Sequence, residues 1–303
     1  MHTGSSTSSN PASAAGTKGL PGWAKLLLKL LVSGGCLYYV GQKINWQEAV
    51  QLLQKSNVLW LLLATLLFTA SKVLSSVRLR IYFHNIAVAL PQLANLRLYW
   101  LGMFYNLFLP GGIGGDAYKV ILLNKAYPQT GVKKLSAAVL LDRVSGVAGL
   151  GILAAACYGW VFQPQWHAWL ALAGIPVGLL VFYVGVKKFF PSFVPGFYPT
   201  LWMGLGVQLL QVFSVVAIMQ SIGITHHMPE FQLMFLVSSI VAIFPFTIGG
   251  LGARELVFLW GATQFGLQQS EAVFISLLFY CITVVVSLVG LVWVFRSPLH
   301  QAS

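Results

Sequence analysis

Two phrases of the form Pro-x-x-Ile-Gly-Gly interrupt otherwise apolar runs, and each is followed at once by charge. The first is Pro110, Gly111, Gly112, Ile113, Gly114, Gly115, then Asp116, with Lys119 one turn on. The second is Pro245, Phe246, Thr247, Ile248, Gly249, Gly250, then Leu251, Gly252, Ala253, Arg254, Glu255. Between them Asp142 and Arg143 stand side by side in an apolar stretch. Proline removes a backbone donor, and glycine weakens a helix by about 1 kcal/mol relative to alanine. Helix breaks at membrane depth persist only where the backbone is buried in protein or lines a polar cavity. Two charged breaks therefore predict a site for something polar within a bilayer.

Two chemistries suit these residues. A glycine turn feeding a helix N-terminus offers backbone N–H groups and a positive dipole end to phosphate or carboxylate. Arg254 and Arg143 would add forked contacts and Lys119 a point charge. Asp116 and Glu255 would repel a bare anion, so they fit as partners of a cationic headgroup, of a proton, or of these same arginines. A structural role is the alternative, with Asp116 as a helix cap and Arg254–Glu255 as an internal pair. Ionisable groups in a bilayer face a cavity or one another, because exposure to lipid costs several kcal/mol.

The surrounding elements must be membrane helices. Of 303 residues 57% are hydrophobic and only 8% charged, against roughly 25% charged in a soluble domain; mean hydropathy is +0.79. The net charge of +12 is spread over short loops and tails, the bias of cytoplasmic membrane loops, so no nucleic-acid partner is expected. Cys36, Cys157 and Cys281 predict buried free thiols, and no cofactor or metal site is expected. His226–His227 reads as a solvated loop pair. Predicted spanning helices are Trp23–Val40, Val58–Val77, Leu135–Phe162, Trp169–Val186, Thr200–Ile222 and Glu271–Phe295. Residues 1–22 predict a disordered tail, 23–297 one transmembrane domain and 298–303 a short C-terminal tail.

Charge decides how the two broken regions run. If Leu93–Tyr127 and Phe231–Phe265 each dip in and turn back, both termini are cytoplasmic. Lys43 and Lys55 then lie outside, and Lys72, Arg143 and Arg254 within the membrane. The rest of the 18 Lys and Arg lie inside, including Arg78. Three spanning helices separate the turn-backs, so they enter from opposite faces, an inverted plan frequent in transporters. The prediction is an all-α polytopic protein with about six spanning helices and two inverted re-entrant glycine hairpins. On Leu135–Phe162, Ala138, Gly146, Gly149 and Gly151 predict close helix packing. Trp160, Phe162, Trp166 and Trp169 predict an interfacial belt.

The segments Asn106–Asp116, Leu141-Asp142-Arg143 and Pro245–Glu255 together resemble the lysylphosphatidylglycerol synthase transmembrane-region family. This is the flippase-like half of the bacterial multiple peptide resistance factor, with many stand-alone relatives. The resemblance runs over Trp23–Arg296. It implies a multi-pass inner-membrane protein that moves a lipid or lipid-linked headgroup between leaflets. It also implies functional roles for Asn106, Pro110, Gly114, Gly115, Asp116, Asp142, Arg143, Gly249, Gly250, Gly252, Arg254 and Glu255. Lys119 departs from the arginine of many relatives. No soluble aminoacyl-transferase domain is expected, so the synthase activity is not carried over. The expected partners are a membrane phospholipid or lipid-linked headgroup, a lipid-synthesis enzyme, or a second copy of the chain. An accessory role and a membrane glycosyltransferase are the alternatives.

Overall fold

Without water to satisfy peptide groups, apolar runs in hydrocarbon close their own hydrogen bonds as helices. The computed structural model describes residues 22–43, 45–108, 114–244, 247–296 and 298–299. Among them are the helices α1 (Gly22–Lys43), α2 (Trp46–Lys55), α3 (Val58–His84), α4 (Gln92–Phe108), α5 (Gly114–Ala126), α6 (Val132–Val161), α7 (Trp166–Phe189), α8 (Phe197–Ser221), α9 (Met228–Val241), α10 (Ala253–Phe265) and α11 (Gln269–Leu288), with no strand. Val58–His84, Val132–Val161, Trp166–Phe189, Pro191–Ser221 and Gln269–Trp293 are each long and apolar enough to cross a membrane. The chain is an all-α polytopic membrane protein. The remaining expected run, Trp23–Val40, lies within α1; of the tail expected at 1–22, Gly22 starts that helix and 1–21 lie outside the described residues.

Two elements differ from expectation. The connection after α1 contains α2, an amphipathic helix whose N-terminus is capped by the Asn45 side chain accepting from the Gln47 N–H. Helix α3 continues seven residues beyond Val77, because its last two turns are buried in protein: Arg78, Leu79, Tyr82 and Phe83 are all inaccessible. Arg78 is therefore a core residue and not a loop cation.

Three helices form a frame. Helices α3 and α8 run antiparallel in contact, since Ser214 Oγ donates to Ala64 O (2.8 Å) and Tyr82 OH to Thr200 Oγ1 (2.8 Å). Helix α6 crosses α8 where Gly149 meets Gly204; a Cβ on Gly149 would stand 2.8 Å from the Gly204 carbonyl carbon. Gly146 faces the Arg78 guanidinium, whereas Gly151 faces open space.

Each broken region folds as an antiparallel pair. In the first, Tyr99 meets Lys119, Gly102 meets Gly115, and Asn106 meets Gly115. In the second, Met234 meets Gly261, Ser239 meets Arg254, and Ala242 meets Gly250. At ~1.5 Å per residue, α4, α5, α9 and α10 reach only about 20–26 Å, short of the ~30 Å hydrocarbon core. The pairs sit at opposite ends of the frame. Helices α4 and α5 share an apolar cluster with Leu79 and Phe83 of α3, Leu135 of α6 and Phe197 of α8. Helices α9 and α10 share another with Ala64 and Phe68 of α3, Ala154 of α6 and Ile218 of α8. Their inner ends meet: a Cβ on Gly249 would run into Leu107.

Backbone-to-backbone contact makes α6 a sensitive probe. Gly149→Ala should destabilise the protein by about 1–3 kcal/mol through overpacking, whereas Gly151→Ala should be neutral. Thermal unfolding of the two variants in detergent would show this; equal melting points would refute the α6–α8 crossing.

Candidate functional site

Where the inner ends of the two pairs approach, a cavity of about 430 Å³ opens at mid-length of α3, α6 and α8. Three cations line it: Lys72 from α3, Arg143 from α6 and Arg254 from α10. Asn106, Gln208, Gln211, Ser239, Thr247, Thr283 and Ser287 add polar groups, and Gly249 and Gly250 bring the second break to its wall. No Asp or Glu is among the described lining residues. The volume falls within the ~300–1,000 Å³ range of small-molecule sites.

The acids instead hold the surrounding protein. Asp116, in the first turn of α5, binds the Arg143 guanidinium and accepts from Lys119 Nζ at 3.1 Å. Asn106 Nδ2 reaches the same carboxylate at 3.4 Å, while Asn106 Oδ1 accepts from the Gly115 N–H at 2.9 Å. This node joins α4, α5 and α6 and aims Arg143 at the cavity wall. A Cβ on Gly115 would overlap the Gly102 carbonyl, so only glycine permits this approach of α5 to α4. Asp142, adjacent to Arg143, turns the other way. It accepts from Arg78 Nε at 2.7 Å, an ion pair buried between α3 and α6. Glu255 is fully buried; it accepts from the Gly252 N–H (2.6 Å) and from Ser276 Oγ (2.8 Å). That carboxylate closes the first turn of α10 and ties it to α11.

Lys72 and Arg254 are set differently. Neither forms an ion pair among the described residues. Lys72 Nζ lies over the Phe68 ring, 4.4 Å from its centroid, and the Arg254 guanidinium over Phe279 at 5.3 Å. The two rings touch edge to face at 5.4 Å. Such contacts hold a cation at about 0.5–2 kcal/mol each without neutralising it. Arg254 Nη1 also donates to Ser239 Oγ at 3.1 Å. Gly250, at φ +88°, both turns the chain and leaves room for the Arg254 side chain beside it.

The expected site residues thus separate into three sets. Asn106, Arg143, Gly249, Gly250 and Arg254 line the cavity. Gly115, Asp116, Lys119, Asp142, Gly252 and Glu255 stand behind it as supports, and Gly114 begins α5. Pro110, Gly111, Gly112 and Pro245 lie outside the described residues. Several backbone donors that sequence offered to an anion are taken by the protein itself, those of Gly115, Ile248 and Gly252 by Asn106, Ser33 and Glu255 respectively. Sequence reasoning missed Lys72, Gln208, Gln211 and Ser239 as lining residues. Lys72 had a signal, as a lone lysine in the run Val58–Val77; the glutamines of α8 had none beyond their polarity. The three cysteines are free but none is buried: Cys36 and Cys157 are half-buried, and Cys281 is exposed on the outward face of α11.

The profile described as Lysylphosphatidylglycerol synthase TM region matches residues 26–197 and 194–290. A UPF0104 membrane protein of Pyrococcus horikoshii is 24% identical over 136 residues, covering 45% of this chain and 41% of that protein. No solved structure matches the chain.

Removing one half of a buried ion pair leaves the other charge uncompensated, at a cost of about 3–5 kcal/mol. Asp142→Asn should therefore unfold at much lower temperature than the parent. Replacing both Asp142 and Arg78 by uncharged residues should recover part of the loss. A single variant as stable as the parent would show that the pair is not a clamp.

Proposed function

The chain belongs to the lysylphosphatidylglycerol synthase TM region family, and from that membership and the site geometry we propose that it is a flippase-like transporter. It moves a lipid or lipid-linked polar headgroup between leaflets and is not itself an enzyme. One observation carries this reading. Two helical pairs rooted at opposite ends of the frame meet at a polar cavity halfway along it, and Lys72, Arg143 and Arg254 line that cavity with no Asp or Glu among its described lining residues.

The headgroup enters the cavity while the acyl chains remain in lipid. Arg254 and Arg143 hold its phosphate by forked hydrogen bonds. Asp116 is a positioning residue that fixes the Arg143 guanidinium. The buried residues of the two pairs belong to different apolar clusters against the frame, with Trp100 and Met103 of α4 as the link between them. Rocking the two in turn would open the cavity to alternate faces. Lys125, Lys133 and Lys134 lie at the frame end where α4 and α5 are rooted, as do Lys187 and Lys188. Trp160, Trp166 and Trp169 are exposed at the other end. This polarity favours an inner-membrane protein with the first pair entering from the cytoplasm and with cytoplasmic termini.

In proteoliposomes carrying labelled lipids, the parent should equilibrate a headgroup-labelled lipid across the bilayer. Arg254→Ala should reduce exchange to the protein-free rate with insertion unchanged. Exchange that survives Arg254→Ala overturns the site assignment. Turnover of a lipid-linked donor by the purified protein would replace transport with catalysis. In a cysteine-free background, Lys125→Cys and Gln264→Cys should label from opposite faces, with Lys125→Cys reached from the cytoplasm; labelling from one face would overturn the inverted arrangement.

A further inference from the structure

We infer that the cavity selects a phosphate group carrying two negative charges, a phosphomonoester or diphosphate, over a phosphodiester, and rejects a headgroup that brings its own ammonium. The inference deepens the transport reading and rests on the same cavity.

Charge around the site does not balance. Arg78 and Asp142 neutralise each other. Of the other ionisable groups, Asp116 is shared by Arg143 and Lys119, which leaves one positive charge at that node. Lys72 and Arg254 add two more, and the nearest further acid is Glu255. Both oxygens of Glu255 are committed to the Gly252 N–H and to Ser276, and its surface lines a separate hollow beside Gly34, Leu37 and Leu277. Even with Glu255 counted in full, an excess of two positive charges remains.

Position sharpens the argument. Lys72 and Arg254 rest on two touching rings, Phe68 and Phe279, and both line the same cavity. Like charges held side by side in a low-dielectric interior repel; an anion between them converts that repulsion into attraction. A dianion matches the excess, a phosphodiester leaves one charge over, and a lysyl ester, with one phosphate charge and two ammonium groups, enlarges the imbalance.

The test is equilibrium binding to the purified full chain in detergent at pH 7.5, where a phosphomonoester carries nearly two charges. The probes are short-chain phosphatidic acid, phosphatidylglycerol and lysyl-phosphatidylglycerol. Phosphatidic acid should bind at least about tenfold more tightly than phosphatidylglycerol, with the lysyl ester weakest. Lys72→Met and Arg254→Gln should each shrink the preference to about threefold or less. Inorganic phosphate as competitor separates the sources. Displacement at equal affinity assigns the selectivity to the phosphate alone, and failure to displace assigns it to the lipid. Binding of either phosphodiester as tightly as phosphatidic acid overturns the inference. If a variant fails to fold, the parent's ranking still decides. Correct ranking without leaflet exchange overturns transport and spares the charge rule, and exchange of the lysyl ester does the reverse.

Discussion

A charge inside a bilayer must find a counter-charge, a polarisable ring or trapped water, because leaving it bare costs several kcal/mol. The architecture follows from how that requirement is met. Asp142 is used up on Arg78, and Asp116 on Arg143 and Lys119. Glu255 is spent on the turn that starts α10. With the core acids engaged in structure, the cations that remain, Lys72 and Arg254, are held by aromatic faces and point into a shared space. What this leaves is a cavity lined by cations.

The same nodes fix the mechanics. The Asp116 node joins the first helical pair to α6, and Ser239 joins Arg254 of α10 to α9. The three-helix frame is stiffened by the Gly149–Gly204 contact and by the Arg78–Asp142 pair. Small residues let backbones approach and gain dispersion contacts that lipid does not offer in their place. The result is a three-helix frame with one helical pair packed at each end, and Trp100 and Met103 of α4 reach across to the cluster of the other pair.

Neighbouring residues take opposite roles at two places, and helix geometry is the reason. Asp142 and Arg143, like Arg254 and Glu255, are about 100° apart on their helices. One member of each pair faces the cavity, and the other faces a neighbouring helix. Read as dipeptides, both look like local ion pairs. In three dimensions neither is: Arg143 binds Asp116, Asp142 binds Arg78, Glu255 binds Gly252 and Ser276, and Arg254 rests on Phe279.

Hydropathy and Pro/Gly punctuation are local properties, so the residues alone determined the polytopic all-α class, the helix runs, the two breaks and the surplus of basic side chains. They also marked Arg143 and Arg254 as candidates, because an intramembrane cation is conspicuous against its neighbours. Partner choice was not legible. Arg78 and Asp142 are 64 positions apart and Arg143 and Asp116 are 27, and nothing in either neighbourhood names the other. The last turns of α3 read as a loop for the same reason, since burial by α4 and α8 keeps a charged stretch helical. Only the packed structure decided which charges cancel and which stay available, because cancellation depends on distance in space and the chain records only distance along itself.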